Sequence, residues 1–136
     1  RAFVGVDYVK QNDAELAAAF ERHLDTKDAL EEAARELIAE LGAKGALITR
    51  GEKGMMLFLA DGARHEIPVS DKSEVYDVSG AGDTCVAAFI LALAGGALPL
   101  TAAQLSNIAS GIAVRKFGTA TVSAAELAKK VRELSA

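Results

Sequence analysis

Apolar spacing divides the chain into alternating strand-like and helix-like segments. Phe3 to Val9 is a short apolar run of the kind that makes a buried strand. Asn12-Asp13-Ala14-Glu15 then opens a helix with Leu16, Phe20 and Leu24 on one face. Asn followed three residues later by Glu is a capping-box pattern. A second helix starts at Asp25 or Thr26 and carries Leu30, Ala34, Leu37, Ile38 and Leu41 at helical spacing, with Gly42 placed to end it. Ala46 to Thr49 is a short buried strand, Arg50 to Gly54 a loop with two glycines, and Met55 to Leu59 the next strand. Asp61-Gly62 turns that strand into a partner over Arg64 to Val69, which predicts a hairpin.

The rest of the pattern is helical. Cys85 to Ala94 is apolar on every side, so a helix there must be enclosed, between the sheet and neighbouring helices. Gly95-Gly96 ends it. Thr101-Ala102-Ala103-Gln104 is a capping box for a helix striped by Leu105, Ile108 and Ile112, and Arg115 and Lys116 suit its C-terminal end. Lys116 to Ser123 is a loop, and Ser123-Ala124-Ala125-Glu126 caps a last amphipathic helix with Leu127, Val131 and Leu134. Strands separated by helices predict an α/β fold with a mainly parallel sheet in three layers.

Composition narrows the function. The 136 residues make one domain, or a piece of one. A net charge of −4 gives no footprint for nucleic acid or an anionic membrane, and the longest apolar run is too short to span a bilayer. The single cysteine, Cys85, excludes an internal disulfide and suits a reducing, cytoplasmic setting. It sits in the apolar run, which makes it a small buried hydrophobe rather than a nucleophile. His23 and His65 have no metal-ligand spacing around them. The chain opens on Arg1 and passes almost at once into Phe3-Val4-Gly5-Val6, so a cut from a longer polypeptide is expected.

Candidate chemistry concentrates in Asp77-Val78-Ser79-Gly80-Ala81-Gly82-Asp83-Thr84. Glycines around an alanine let the backbone turn tightly and approach a ligand. A helix starting there would aim its unpaired N–H groups and positive dipole end at an anion. A carboxylate beside a phosphate repels it unless it has a task, and Asp83 could accept a proton from an attacking hydroxyl. In the plainer reading Ser79 caps a helix, the glycines turn, and Asp83 favours the first turn. Cys85 stands where a dinucleotide-binding loop has its third glycine, and no Lys-Ser or Lys-Thr follows, so neither common phosphate fingerprint is present.

The whole stretch resembles the C-terminal signature of the ribokinase-like (PfkB) carbohydrate kinases. Two weaker elements precede it in the order that family has: Asn12-x-x-Glu15 and Thr49-x-Gly51-x-x-Gly54. The Gly118-Thr-Ala-Thr-Val run looks most like the heptose-phosphate kinase branch, which serves ADP-heptose synthesis. The resemblance implies ATP-dependent phosphoryl transfer to a sugar hydroxyl, the acceptor being a heptose 7-phosphate. Asp83 would be the catalytic base, and the amides of Gly80, Ala81, Gly82 and Asp83 the anion hole. Thr49, Gly51 and Gly54 would line the nucleotide phosphates. Asn12 and Glu15 would place Mg²⁺ and phosphate, and Asn107 would lie along the adenine. Asp77 and the Gly118 region would sit beside a monovalent cation such as K⁺.

This resemblance covers nearly all of the chain but only the C-terminal half of the family's fold. Residues 1–136 are then expected to be the nucleotide-binding half of a kinase domain. The N-terminal half, with most of the sugar pocket and the lid, has no counterpart here, so the chain alone is expected to be inactive. Its partners would be the sugar substrate, that other half, or a second copy of itself. The rival readings are a nucleotide-binding or regulatory module without catalysis, and a structural half that completes a fold with another chain.

Overall fold

The computed structural model describes residues 5–69, 81–113 and 123–135. They fall into two compact units, one ending at Pro68 and the other beginning at Val69.

The first unit has the order β1 (Tyr8–Asn12), α1 (Asp13–Phe20), α2 (Lys27–Leu41), β2 (Gly45–Thr49), β3 (Met55–Leu59) and β4 (Arg64–Ile67). Its strands lie in the order β1-β2-β3-β4. β1 and β2 are parallel, which the α1–α2 crossover permits, while β2–β3 and β3–β4 are antiparallel. The links 50–54 and 60–63 are too short for crossovers, so the described sheet is mixed rather than mainly parallel.

Three boundaries differ from the apolar pattern. β1 spans 8–12 because its limits follow the register with β2, not local apolarity. Phe3 and Val4 lie outside the described residues. Helix α1 stops at Phe20, where Glu21 turns left-handed (φ 52°). Leu24 therefore leaves the helix, yet still packs against the core. β4 ends at Ile67, short of Val69.

Thr26 caps α2 through its hydroxyl, and Gly42 ends it with φ 65°. That helix buries Leu30, Ala34, Leu37, Ile38 and Leu41 against Ala46, Ile48, Met56 and Phe58 of the sheet. Leu47 and Leu57 point to the opposite face by strand alternation, and they too are fully buried. Burial on both faces explains why β2 and β3 read as continuous apolar runs.

Arg35 fastens α2 to the β3–β4 turn. Its guanidinium donates to the carbonyl oxygens of Leu59 (2.7 Å), Gly62 (2.8 Å) and Ala63 (3.2 Å), and to Glu31 on the preceding helical turn. Arg35→Met keeps the stem but strands these acceptors, and should lower unfolding stability in urea by about 1–3 kcal/mol. The Glu31 carboxylate also accepts from Arg64 (2.7 Å), and that bond foremost holds its pKa below the ordinary 4.5. A lowered carboxyl pKa stabilises the fold above the ordinary value, and this contribution disappears as acid carries the pH through the lowered one.

The second unit contains α3 (Ala81–Ala94), α4 (Pro99–Ala113) and α5 (Ala124–Ser135). α3 packs chiefly on α4, and α5 lies against α4. Pro99 starts α4 two residues before the expected Thr101 cap, because proline's fixed φ suits a first helical position. Ser123 does cap α5. Its Oγ accepts from the Glu126 amide (3.1 Å), and Glu126 Oε1 accepts from the Ser123 amide (3.3 Å). The expected enclosure of α3 is met on one side only. Cys85 and Phe89 are buried, but Val86, Ile90 and Leu91 are exposed.

Candidate functional site

In the first unit the parallel register sets Asn12, the last residue of β1, directly opposite Thr49, the last residue of β2. Both strands end there, and loops beyond the carboxyl ends of parallel strands are where α/β sheets bind ligands. The two weaker sequence elements, remote along the chain, thus meet at one end of the sheet.

Asn12 stands at the mouth of α1 in a complete capping box. Its Oδ1 accepts from the Glu15 amide (2.7 Å), and Glu15 Oε2 accepts from the Asn12 amide (2.9 Å). The Asn12 NH₂ and the second Glu15 oxygen lie outside these two bonds, and Glu15 is exposed. The cap and a ligand role are therefore chemically compatible.

Thr49 leads into the glycine turn, a 3₁₀ segment over Gly51–Lys53. The Arg50 amide donates to the Gly54 carbonyl (2.8 Å), the Lys53 amide to Arg50 (3.1 Å) and the Gly54 amide to Gly51 (3.1 Å). Gly51 (φ 58°) and Gly54 (φ 83°) need positive φ, which any side chain would strain. No atom beyond Gly51 and its two chain neighbours lies within 4 Å of where a Cβ on Gly51 would stand, so the turn presents open backbone. Arg50, which the motif reading passed over, sits half-buried here with Nη1 3.8 Å from Met56 Sδ.

In the second unit the described part of α3 begins at Ala81. Gly82 and Asp83 are exposed in its first turn. Gly80 and Asp77 lie outside the described residues, as does Gly118. Asp83 and Thr84 stand on a cavity of about 580 Å³ that Ala87, Leu91, Leu105, Ala109 and Leu127 wall with apolar side chains. Ser123, at the mouth of α5, adds a hydroxyl. Asn107 is buried on α4 and is not among the lining residues. Sequence reading missed these walls because alanines at helical spacing are equally the mark of close helix packing.

Among the described residues no group of three or more His, Cys, Asp or Glu converges as a metal cage. No described helix is long and apolar enough to cross a membrane.

Comparison with known proteins adds a framework. The family model for pfkB family carbohydrate kinases matches residues 1–126. The bifunctional protein HldE of Rhodospirillum rubrum is 44% identical over 129 residues, which cover 95% of this chain and 26% of that protein. Phosphofructokinase-2 from Escherichia coli, solved with potassium, superposes with a TM-score of 0.86 at 26% identity, over 99% of this chain and 43% of that one. Ribokinase from Thermotoga maritima gives 0.81 at 28% identity, covering 93% of this chain and 42% of its own. The chain spans about a quarter of the length of the curated relatives it matches.

Proposed function

Because this chain belongs to the pfkB family of carbohydrate kinases, we propose that it is the nucleotide and catalytic-base part of an ATP-dependent sugar kinase. The observation that carries this reading is the Asn12–Thr49 register, which gathers an Asn-x-x-Glu cap and an open glycine turn at one end of the sheet. Neither element needs the other for its structural task.

Asp83, exposed in the first turn of α3, accepts the proton of the sugar hydroxyl as that oxygen attacks the γ-phosphorus. The amides of Gly80, Ala81, Gly82 and Asp83 donate to the oxygens on which charge accumulates. The turn from Thr49 to Gly54 holds nucleotide phosphates, and Gly51 leaves room for their close approach. Asn12 and Glu15 fit a magnesium ion held through water and phosphate oxygens, since one carboxylate and an amide cannot make a cage alone. When bound, that ion neutralises charge on the phosphates. The apolar cavity beside Asp83 offers walls for the flat face of a nucleobase, a better match than buried Asn107.

Heptose 7-phosphate is the proposed acceptor, supported by the Gly118 to Val122 run and the identity with HldE proteins. Asp77 is proposed to neighbour a monovalent cation, supported by the potassium complex of phosphofructokinase-2. A cytoplasmic setting suits the lone buried cysteine.

Asn12→Ser separates cap from ligand. Serine caps a helix about as well as asparagine, so stability should stay within a few tenths of a kcal/mol. Affinity for Mg·ATP, measured by calorimetry, should fall several-fold. Unchanged affinity would reduce Asn12 to a cap. A wild-type chain that binds no Mg·ATP would remove the nucleotide reading itself.

A further inference from the structure

The first unit contains four described arginines, and three of them are matched by carboxylates. Arg22 pairs with Glu36 (2.9 Å), Arg35 with Glu31 (3.0 Å), and Arg64 with Glu31 (2.7 Å) and Asp28 (3.5 Å). Arg50 is the exception. Among the described residues its guanidinium meets only Met56 Sδ at 3.8 Å, and a thioether sulfur is a weak acceptor. The carboxylate whose field it shares, Glu66, is already bonded to Lys27. Lys27 foremost holds that carboxyl below its ordinary pKa, and Arg50 adds least. Half-burying a guanidinium sacrifices hydration, and its five N–H donors call for strong acceptors in return.

The glycine turn fixes where this side chain starts. The Arg50 amide donates to the Gly54 carbonyl, and the Arg50 carbonyl accepts from the Lys53 amide. Both main-chain polar groups are thus tied across the turn, and the guanidinium rests against Met56. Arg50 directly follows Thr49, at the end of the sheet where Asn12 and Gly51 also lie. Glu52 and Lys53, both exposed on the same turn, cancel in net charge and leave Arg50 to set its sign. The base of an open turn therefore carries an unmatched cation whose planar fork suits two phosphate oxygens at once.

We propose that Arg50 grips the phosphate chain of the nucleotide through its guanidinium, a side-chain contact added to the backbone that the glycines open. The proposal rests on the nucleotide reading of this turn and deepens it. Arg50 sets the preference for a phosphorylated nucleotide over the bare nucleoside.

Calorimetric titration of the 136-residue chain with ATP, ADP and adenosine tests it. Arg50→Met keeps the stem against Met56 and removes the fork. It should weaken ATP and ADP binding roughly tenfold or more and leave adenosine within about twofold. The unfolding midpoint should stay unchanged, because no ion pair is lost. Arg50→Lys keeps the charge without the fork and should recover only part of the loss. Added KCl should weaken ATP binding more steeply in the wild type than in Arg50→Met. Adenosine weakened as much as ATP would make Arg50 a support for the turn and overturn the proposal. So would unchanged ATP affinity in Arg50→Met. Failure of the nucleotide reading shows instead in the wild type: ADP bound no more tightly than adenosine would remove phosphates from this turn, and the proposal with them.

Discussion

Asp83→Asn is expected to lower kcat by roughly 10²–10⁴-fold in the kinase of which this chain forms part, with nucleotide affinity retained. Asparagine matches aspartate in shape but cannot accept the proton that the sugar hydroxyl sheds. The substitution also removes a carboxylate from the first turn of α3, where the helix dipole favours it. That loss costs about 0.3–1 kcal/mol of stability, too little to unfold an ordinary domain. Affinity for Mg·ATP should hold or rise slightly, because a negative charge near the phosphates is gone. Steady-state kinetics with calorimetric titration separates the outcomes. Full turnover in the variant would remove Asp83 from the mechanism. Turnover and nucleotide affinity lost together would make it a binding residue instead. Intact binding of a nucleotide that neither protein turns over would favour the regulatory module.

Features governed by neighbours a few residues away were legible in the sequence. The Asn12–Glu15 box, the Thr26 cap, Gly42 and the Asp61-Gly62 turn are local, and the structure places each where spacing puts it. β3 matches its predicted limits because its run is bounded by Gly54 on one side and the turn on the other. β1 was misplaced because register with β2 fixes its limits, and no window along one strand contains that partner. The α4 start was misread since Thr101 looks like a cap only if Pro99 is ignored. For the site, each motif was visible, but the meeting of Asn12 with Thr49 was implied only by the family resemblance, because it depends on a parallel pairing across a two-helix crossover. Arg50 offered no pattern at all. The cavity walls are alanines and leucines, whose helical spacing serves packing and ligand alike. The exposed margin of α3 was legible only as a contradiction: a sequence that demands burial on all sides, on a helix covered on one.

The chain taken alone is expected not to phosphorylate sugars at an appreciable rate. In-line phosphoryl transfer requires the acceptor hydroxyl to be held against the γ-phosphate, and positioning of this kind supplies roughly 7–11 kcal/mol of the barrier reduction. Such holding calls for polar side chains that converge on a sugar ring. The cavity beside Asp83 offers alanine and leucine walls with Thr84 and Ser123 as its only hydroxyls among the described lining residues. That lining suits a flat apolar ring better than a polyhydroxylated one. Asp83 itself is exposed, and water at the carboxylate and phosphates weakens every electrostatic contact there and competes with the sugar as acceptor. Losing even the lower figure of 7 kcal/mol corresponds to about five powers of ten in rate. The purified 136-residue chain should therefore release ADP at background level in a coupled assay with heptose 7-phosphate, ribose or fructose. Joining it to the remaining kinase polypeptide should restore turnover by several orders of magnitude. Turnover by the chain alone near that of an intact kinase would mean that these residues, or several copies of them, build an acceptor site of their own.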